Sequence, residues 1–404
     1  KKTRHDLGRE EFLKRVEAFA KESHDSIVRQ LKRMGSSLDW SREAFTLDEA
    51  RSLAVRTAFK RLYDLGLIYR GARIVNWDPK MQSNVSDDEI EWKEEKGTFY
   101  YLTYGPFVIG TARPETKFGD KYVVMHPADK RYEAYKHEQK IELEWINGPI
   151  TATVIKDEAA DPEFGTGVMT ITPWHDAADF DIAQRHKLDK EQIIDFKGKL
   201  LPIAGEFAGT HISKARPLIV EKLKSKGLIE KVDEQYTHRI ATNYRGGGIL
   251  EPQIKEQWFV DVNKEFILKE SDLKNFPADG KVTLKKLMRG VVEDGSISII
   301  PDYISKTYFH WIDNLRDWCI SRQIWYGHRI PVWYCERCNE GKIGGIKWVS
   351  PKEKPSDHIV HIDSDAIPIV SVEAPKQCPA CGHGMLAQDP DTLDTWFSSV
   401  LWNF

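Results

Sequence analysis

The chain has 404 residues, 41% hydrophobic and 30% charged, and its 59 basic and 62 acidic side chains leave a net charge of −3. This length suits roughly two to four domains, and the charge balance is not that of a dedicated nucleic-acid binder. No run of ~18 apolar residues is present, and the opening KKTRHDLGRE carries no secretory signal. These features exclude a membrane span and predict a cytoplasmic protein.

Residues 1–70 read as helical. Thr46-Leu-Asp-Glu49 has the form of a capping box. Behind it Ala50, Leu53, Ala54, Ala58, Leu62 and Leu65 recur at helical spacing, and Gly66 ends the run. From about Gly97 to Ile229 the texture changes. FYYLTY, PFVIGT, KYVVMH, PITATVI and GVMTIT are short β-rich runs divided by Gly, Pro and Asp, the pattern of a compact barrel or sandwich. Helical segments interrupt it near 176–188 and 212–226. Residues 236–308 return to a mixed pattern, and Tyr244-Arg-Gly-Gly-Gly248 reads as a flexible joint.

The densest chemistry before the carboxyl end is GTGVMTITPWHDAADF, residues 165–180. A strand ending at Thr172-Pro173 and a helix starting near Asp176 put Asp176 and Asp179 in one helical turn, on one side. A capping role accounts for Asp176 alone. Two acids beside His175 exceed what capping needs, and a carboxylate there can hold an ammonium group. Thr111-Ala-Arg-Pro-Glu-Thr116 offers hydroxyls from Thr111 and Thr116 and a cationic fork from Arg113. Asp161 and Phe164 precede the Gly165-Thr-Gly167 turn. No Ser-His-Asp or Cys-His set is visible. A metal hydrolase using His175, Asp176 and Asp179, and a zinc-bearing RNA-binding module without catalysis, are the competing readings.

Four of the five cysteines form two C-x-x-C pairs, Cys335/Cys338 and Cys378/Cys381, with glycines 341, 344, 345, 382 and 384 after them. Two such pairs fill one structural zinc site. Cys319 reads as a buried inert thiol. Towards the end, DWCISRQIWYGHRIPVWY (317–334) and DPDTLDTWFSSVLW (389–402) thread acids and bases through large aromatics, as a site gripping a polar ligand would. Lys306, His310, Arg316, Arg322, His328 and Arg329 could form a local basic track.

HDLGREEF, LDWSRE, RLYDLGLIYRG, VNWDPK, TARPET, EQWFV and DTLDTWFSS occur in the order found in class I aminoacyl-tRNA synthetases of the valyl, isoleucyl and leucyl group. The chain resembles that family over essentially all 404 residues. DTLDTWFSS and RPET look most like the valyl branch, and an isoleucyl-type editing fragment is the alternative. The resemblance implies an α/β and β architecture. Split Rossmann-like catalytic pieces would carry an inserted β-barrel-like editing domain and a small zinc ribbon. The implied spans are 1–92 on the helical catalytic side, 93–235 for editing, 236–308 for the return connection, and 309–404 for the second catalytic piece. The ribbon would lie at 334–388.

By the same resemblance, Asp179 matches the acid that holds a substrate α-amino group. Asp176, Thr172, Thr111 and Arg113 join it in hydrolysing threonyl-tRNA(Val). Thr116, Asp161, Phe164, Thr170 and His175 line the pocket, while Tyr326 and Trp396 wall the amino-acid pocket of the activation site. The implied partners are tRNA(Val), valine and threonine, with structural Zn²⁺ on Cys335, Cys338, Cys378 and Cys381, in a monomer. ATP and Mg²⁺ would serve only the full-length ligase. HIGH-type and KMSKS-type sequences would lie before Lys1 and after Phe404, so the chain reads as a fragment retaining hydrolytic editing. Relatives often have Lys or His where Thr170 stands and Trp where Tyr326 stands. Asp78 and Met81 occupy positions where some relatives carry thiolates, so no metal is expected there.

Overall fold

The computed structural model describes residues 3–344 and 361–403, so Gly345, the 345–360 stretch of the expected ribbon, and Phe404 lie outside the described residues. Two compact units emerge: Arg73–Lys255 forms one, and Lys1–Ala72 with Glu256–Phe404 forms the other. The first contains the span 93–235 expected for the inserted domain. The chain crosses between them inside the strands Ile68–Asp78 and Glu251–Val260.

In the 73–255 unit, Ile90–Tyr104 is the central strand of an antiparallel sheet, flanked by Phe107–Thr111 and Ile229–Asn243. A second sheet runs in the order Lys140–Trp145, Gly148–Lys156, Tyr122–Met125, Val168–Thr170. Its two middle strands are parallel, and its outer pairings are antiparallel. Both sheets are open. The expected barrel does not close among the described residues, because no ladder joins an edge strand of one sheet to an edge strand of the other. One core serves both: Leu102, Tyr104 and Ile109 cluster with Val123, Met125, Trp145 and Val154, and with Ile219 and Leu223 of the helix Ile212–Ser225. Tyr104 meets Trp145 edge-on at 4.7 Å, a favoured aromatic geometry.

Tyr244–Gly248 is a hydrogen-bonded turn rather than a loose joint. The N–H groups of Gly246 and Gly247 donate to the Asn243 carbonyl, and Asn243 N–H donates to the Gly248 carbonyl. Gly247 has φ +62°, and a Cβ on Gly248 would fall 2.6 Å from an Asp78 oxygen. Both positions need glycine for these reasons. Asp78 is fully buried and accepts from the N–H groups of Lys80 and Met81 and from Asn243 Nδ2.

In the other unit, the first seventy residues hold the helices Arg9–Arg33 and Glu49–Asp64. The second is capped by Asp48, which accepts from Arg51 N–H, and not by Thr46 as the sequence implied. Its inward face is Val55 and Phe59; Leu53 and Leu65 of the expected stripe are exposed. The Phe59 ring meets Trp258 and Phe397 at 5.8 and 6.4 Å, which rotates the helix towards those aromatics. Phe259–Val260, Ser321–Arg322 and Val332–Cys335 all pair antiparallel with their partners. No helix among the described residues is long and apolar enough to cross a membrane.

The acids near the carboxyl end serve internal donors instead of an open site. Asp389 accepts from Trp258 Nε1 and the Tyr334 hydroxyl at 3.0 and 3.2 Å. Asp394 binds Arg322 at 2.8 Å and Trp318 Nε1 at 3.2 Å. Large aromatics buried whole bring N–H and O–H groups that must be satisfied. The proposed basic track keeps Lys306, His310 and Arg316 exposed but loses the other three members: Arg322 and His328 are buried, and Arg329 donates to the carbonyls of Asp389 and Gln388.

Candidate functional site

The segment after the strand Val168–Thr170 turns at Thr172–His175 and enters the helix Ala177–Arg185. Asp176 is its N-cap and accepts from the N–H groups of Ala178 and Asp179. Asp179 folds back. One carboxylate oxygen accepts the Thr172 N–H at 2.7 Å, and the residue is only 6% exposed. Burial, with Asp176 alongside, pushes its carboxyl up to about 7, although the Thr172 N–H and Lys117 work the other way. Such a group changes charge near neutrality and gains from a cation brought to it.

Lys117 lies on the short 3-10 helix Pro114–Gly119 and is itself buried. Its ammonium donates to the Thr170 hydroxyl at 3.0 Å and to Asp120 at 3.3 Å. Burial raises the Asp120 carboxyl to about 6 against the pull of Lys117 and Thr170. The uncharged side chain at 170 therefore has a cation beside it, supplied from another segment. Sequence reading named neither Lys117 nor Asp120, although Lys117 directly follows the Thr-Ala-Arg-Pro-Glu-Thr run and Asp120 comes three residues later.

The guanidinium of Arg113 is engaged within the protein. It donates to both oxygens of Glu251, to Glu115 and to the His175 carbonyl. Glu115 is fully buried and takes a fork of two hydrogen bonds from Arg216. Burial alone would raise the Glu251 carboxyl, but Arg113 and His175 hold it below the usual carboxylate value. His175 Nε2 accepts from the N–H groups of Ile193 and Ile194. Its proton therefore sits on Nδ1, facing Glu251 at 3.2 Å. Both ring nitrogens are occupied, so His175 braces the turn. Glu251 and Arg216 were beyond sequence reading, since they lie more than a hundred positions from their partners.

Thr111 and Thr116 close the same loop: Thr111 Oγ1 accepts from Arg113 N–H, and Thr116 Oγ1 donates to the Arg113 carbonyl. Arg113, Glu115 and Asp176 reach a cavity of about 1050 Å³ that Lys197, His211 and Arg239 also line. That exceeds the usual span of small-molecule sites. Thr111, Thr172 and Asp179 are buried and are not among its lining residues. Asp161 and Phe164 sit on an exposed loop, where Asp161 accepts from Glu163 N–H and Phe164 is 66% exposed. In the other unit, Tyr326 lines a cavity with Trp325, His328 and Arg329. Trp396, on the helix Thr395–Ser399, is 53% exposed and does not line that cavity.

The four cysteines converge. Cys335 ends the strand Val332–Cys335, and Cys338 lies on the 3-10 helix Arg337–Asn339. Cys378 and Cys381 sit on a turn where Gly382 N–H donates to the Cys378 carbonyl. Three Sγ–Sγ separations are 3.5, 3.6 and 3.8 Å, and all four sulfurs lie within 4.8 Å of one another. Thiolates about 2.3 Å from a central tetrahedral ion stand about 3.8 Å apart, so this cluster can hold one metal ion.

Residues 1–404 match the family model of tRNA synthetases class I (I, L, M and V). The chain is 40% identical over 411 residues to the valine–tRNA ligase of Symbiobacterium thermophilum, covering 100% of this chain and 39% of that protein. It is 42% identical over 411 residues to the valine–tRNA ligase of Protochlamydia amoebophila, covering 100% of this chain and 38% of that one. The chain thus spans well under half the length of these relatives. A crystal structure of a leucyl enzyme in a ternary complex, LeuRS-tRNA-LeuAMS from Agrobacterium radiobacter K84, is 17% identical. It matches 96% of this chain and 47% of its own, with a TM-score of 0.31.

Proposed function

The chain belongs to the class I tRNA synthetases, and from that premise we propose that its 73–255 unit is an editing site hydrolysing threonyl-tRNA(Val). It would serve a valine–tRNA ligase that uses ATP and Mg²⁺ to join valine to tRNA(Val). The observation that carries this reading is Asp179, a buried carboxylate held by the Thr172 N–H among two further acids. Such a group is poised to take the α-ammonium of an aminoacyl ester.

The chemistry asked of the site is modest. A water oxygen adds to the ester carbonyl, the ribose oxygen leaves with a proton, and threonine and tRNA are released. Asp179 fixes the ammonium end and the hydroxyls near Thr111 and Thr172 read the threonine side chain, so the gain is one of positioning. Arg113 and His175 act by holding the turn through Glu251. Thr116 and Thr170 keep the loop and Lys117 in place, and Asp161 and Phe164 form the outer wall. Selection follows from hydrogen bonding, since valine would leave buried polar groups unpaired. The discrimination of an apolar pocket against threonine, roughly 10², is the known behaviour of valyl enzymes themselves and not a figure from this structure.

On this reading the unit of 1–72 with 256–404 is part of a split Rossmann-like catalytic domain. Tyr326 and Trp396 would wall its amino-acid pocket, and the cysteine cluster would hold structural zinc, in a monomeric enzyme. The test is deacylation of threonyl-tRNA(Val) during a short exposure to EDTA. An editing site keeps working. Loss of the reaction would indicate a metal hydrolase, and no reaction before chelation would indicate a passive RNA-binding module.

A further inference from the structure

Asp120 and Asp179, both buried, share the influence of one buried ammonium, that of Lys117, while Asp176 caps the helix beside Asp179 from an exposed position. Fully ionised, two buried carboxylates against one cation leave the cluster short of positive charge. Burying an uncompensated charge is costly, so the lone cation governs how many of these acids ionise at once. Lys117 is well fixed for that task. Its carbonyl accepts Trp145 Nε1 at 2.7 Å, which ties its backbone to the core. Its ammonium bridges Asp120 and the hydroxyl of Thr170, the last residue of the strand Val168–Thr170. Two residues later, Thr172 N–H holds Asp179.

We propose that Lys117 is a positioning residue of the candidate site, a buried cation that favours the anionic form of Asp179 that receives a substrate ammonium. This deepens the editing reading and rests on it for the identity of the substrate. The groups facing Asp179 come from three segments. Asp176 is the cap of its own helix, the Thr172 N–H comes from the preceding turn, and Lys117 and Asp120 come from the 3-10 helix Pro114–Gly119 and its end. Asp176 and Asp120 oppose the charge on Asp179, and Thr172 and Lys117 favour it. Thr170 enters through Lys117, because its hydroxyl holds the ammonium in place.

The experiment titrates the Asp179 carboxyl by ¹³C NMR in the 404-residue chain, alongside Lys117→Gln and Lys117→Arg. The deacylation rate of threonyl-tRNA(Val) is followed over the same pH range. Lys117→Gln keeps polar contacts to Asp120 and Thr170 but lacks the charge, and should raise the Asp179 midpoint by about one pH unit. From a starting value near 7, that cuts the anionic fraction and the rate at pH 7 about fivefold, with recovery at pH 9. Lys117→Arg should leave the midpoint near wild type. An unchanged midpoint in folded Lys117→Gln overturns the proposal. If Lys117→Gln does not fold, adding Asp179→Asn should restore folding by removing the uncompensated acid; failure of that rescue also overturns it. If the wild-type chain deacylates nothing at any pH, the editing reading falls, and the NMR midpoints still decide the role of Lys117.

Discussion

One nitrogen of Arg113 donates to both carboxylate oxygens of Glu251, at 2.7 and 2.6 Å, across a separation of 138 positions. The pair ties the loop after the strand Phe107–Thr111 to the strand Glu251–Val260, and His175 lies against the same carboxylate. Glu251 is buried, whereas the Arg113 side chain is 34% exposed. Removing one partner of a fully buried pair costs about 3–5 kcal/mol. Solvent near Arg113 reduces that, so Glu251→Gln should destabilise the chain by about 2 kcal/mol. Urea denaturation with an unchanged midpoint would show that the pair is idle.

Asp179→Ala removes the proposed ammonium anchor. Losing one partner of a buried charged contact costs roughly 2–5 kcal/mol, so threonyl-tRNA(Val) deacylation should slow by about 30-fold or more. Asp179→Asn should be slowed as well, because its amide can still accept from Thr172 N–H but carries no charge. Wild-type rates in both variants would place the anchor elsewhere. Joint loss of activity and fold would make Asp179 structural.

Stability should fall with rising pH through the Asp179 titration. The folded carboxyl titrates near 7, well above the ordinary aspartate value of about 3.9. Between those values the native state binds the extra proton, so native stability is greatest at the acid end and declines as pH rises towards 7. Asp179→Asn should remove this decline. Its thermal midpoint should match wild type near pH 4 and exceed it near pH 8. Parallel pH profiles for the two proteins would contradict the raised value.

Metal analysis should return about one zinc per chain, bound by Cys335, Cys338, Cys378 and Cys381, since four thiolates complete a structural site. Cys378→Ser should abolish stoichiometric binding and lower the thermal midpoint. The melting of the helix Ala177–Arg185 should be untouched, because it belongs to the other compact unit. A fully folded, metal-free wild-type preparation would refute the assignment.

Local patterns made much of this chain legible in its sequence. The runs around Tyr100, Ile109, Val123, Val154 and Met169 are strands because β-branched and aromatic residues fill a pleated, half-buried surface. The helix after Asp176 begins there because a short acid satisfies free N–H groups. The paired cysteine spacing leads directly to the four-sulfur cluster. Tertiary structure alone decided which charges meet. Nothing near Arg113 in sequence names Glu251, and the ammonium beside Thr170 comes from Lys117, fifty-three positions earlier. The aspartates of the carboxyl-terminal run resemble ligand-binding acids until the fold buries Trp258, Tyr334 and Arg322 against them. Backbone preference and capping act over a few residues and can be read locally. Charge compensation in a low-dielectric interior depends on what the fold brings within a few ångströms, and sequence spacing does not encode it.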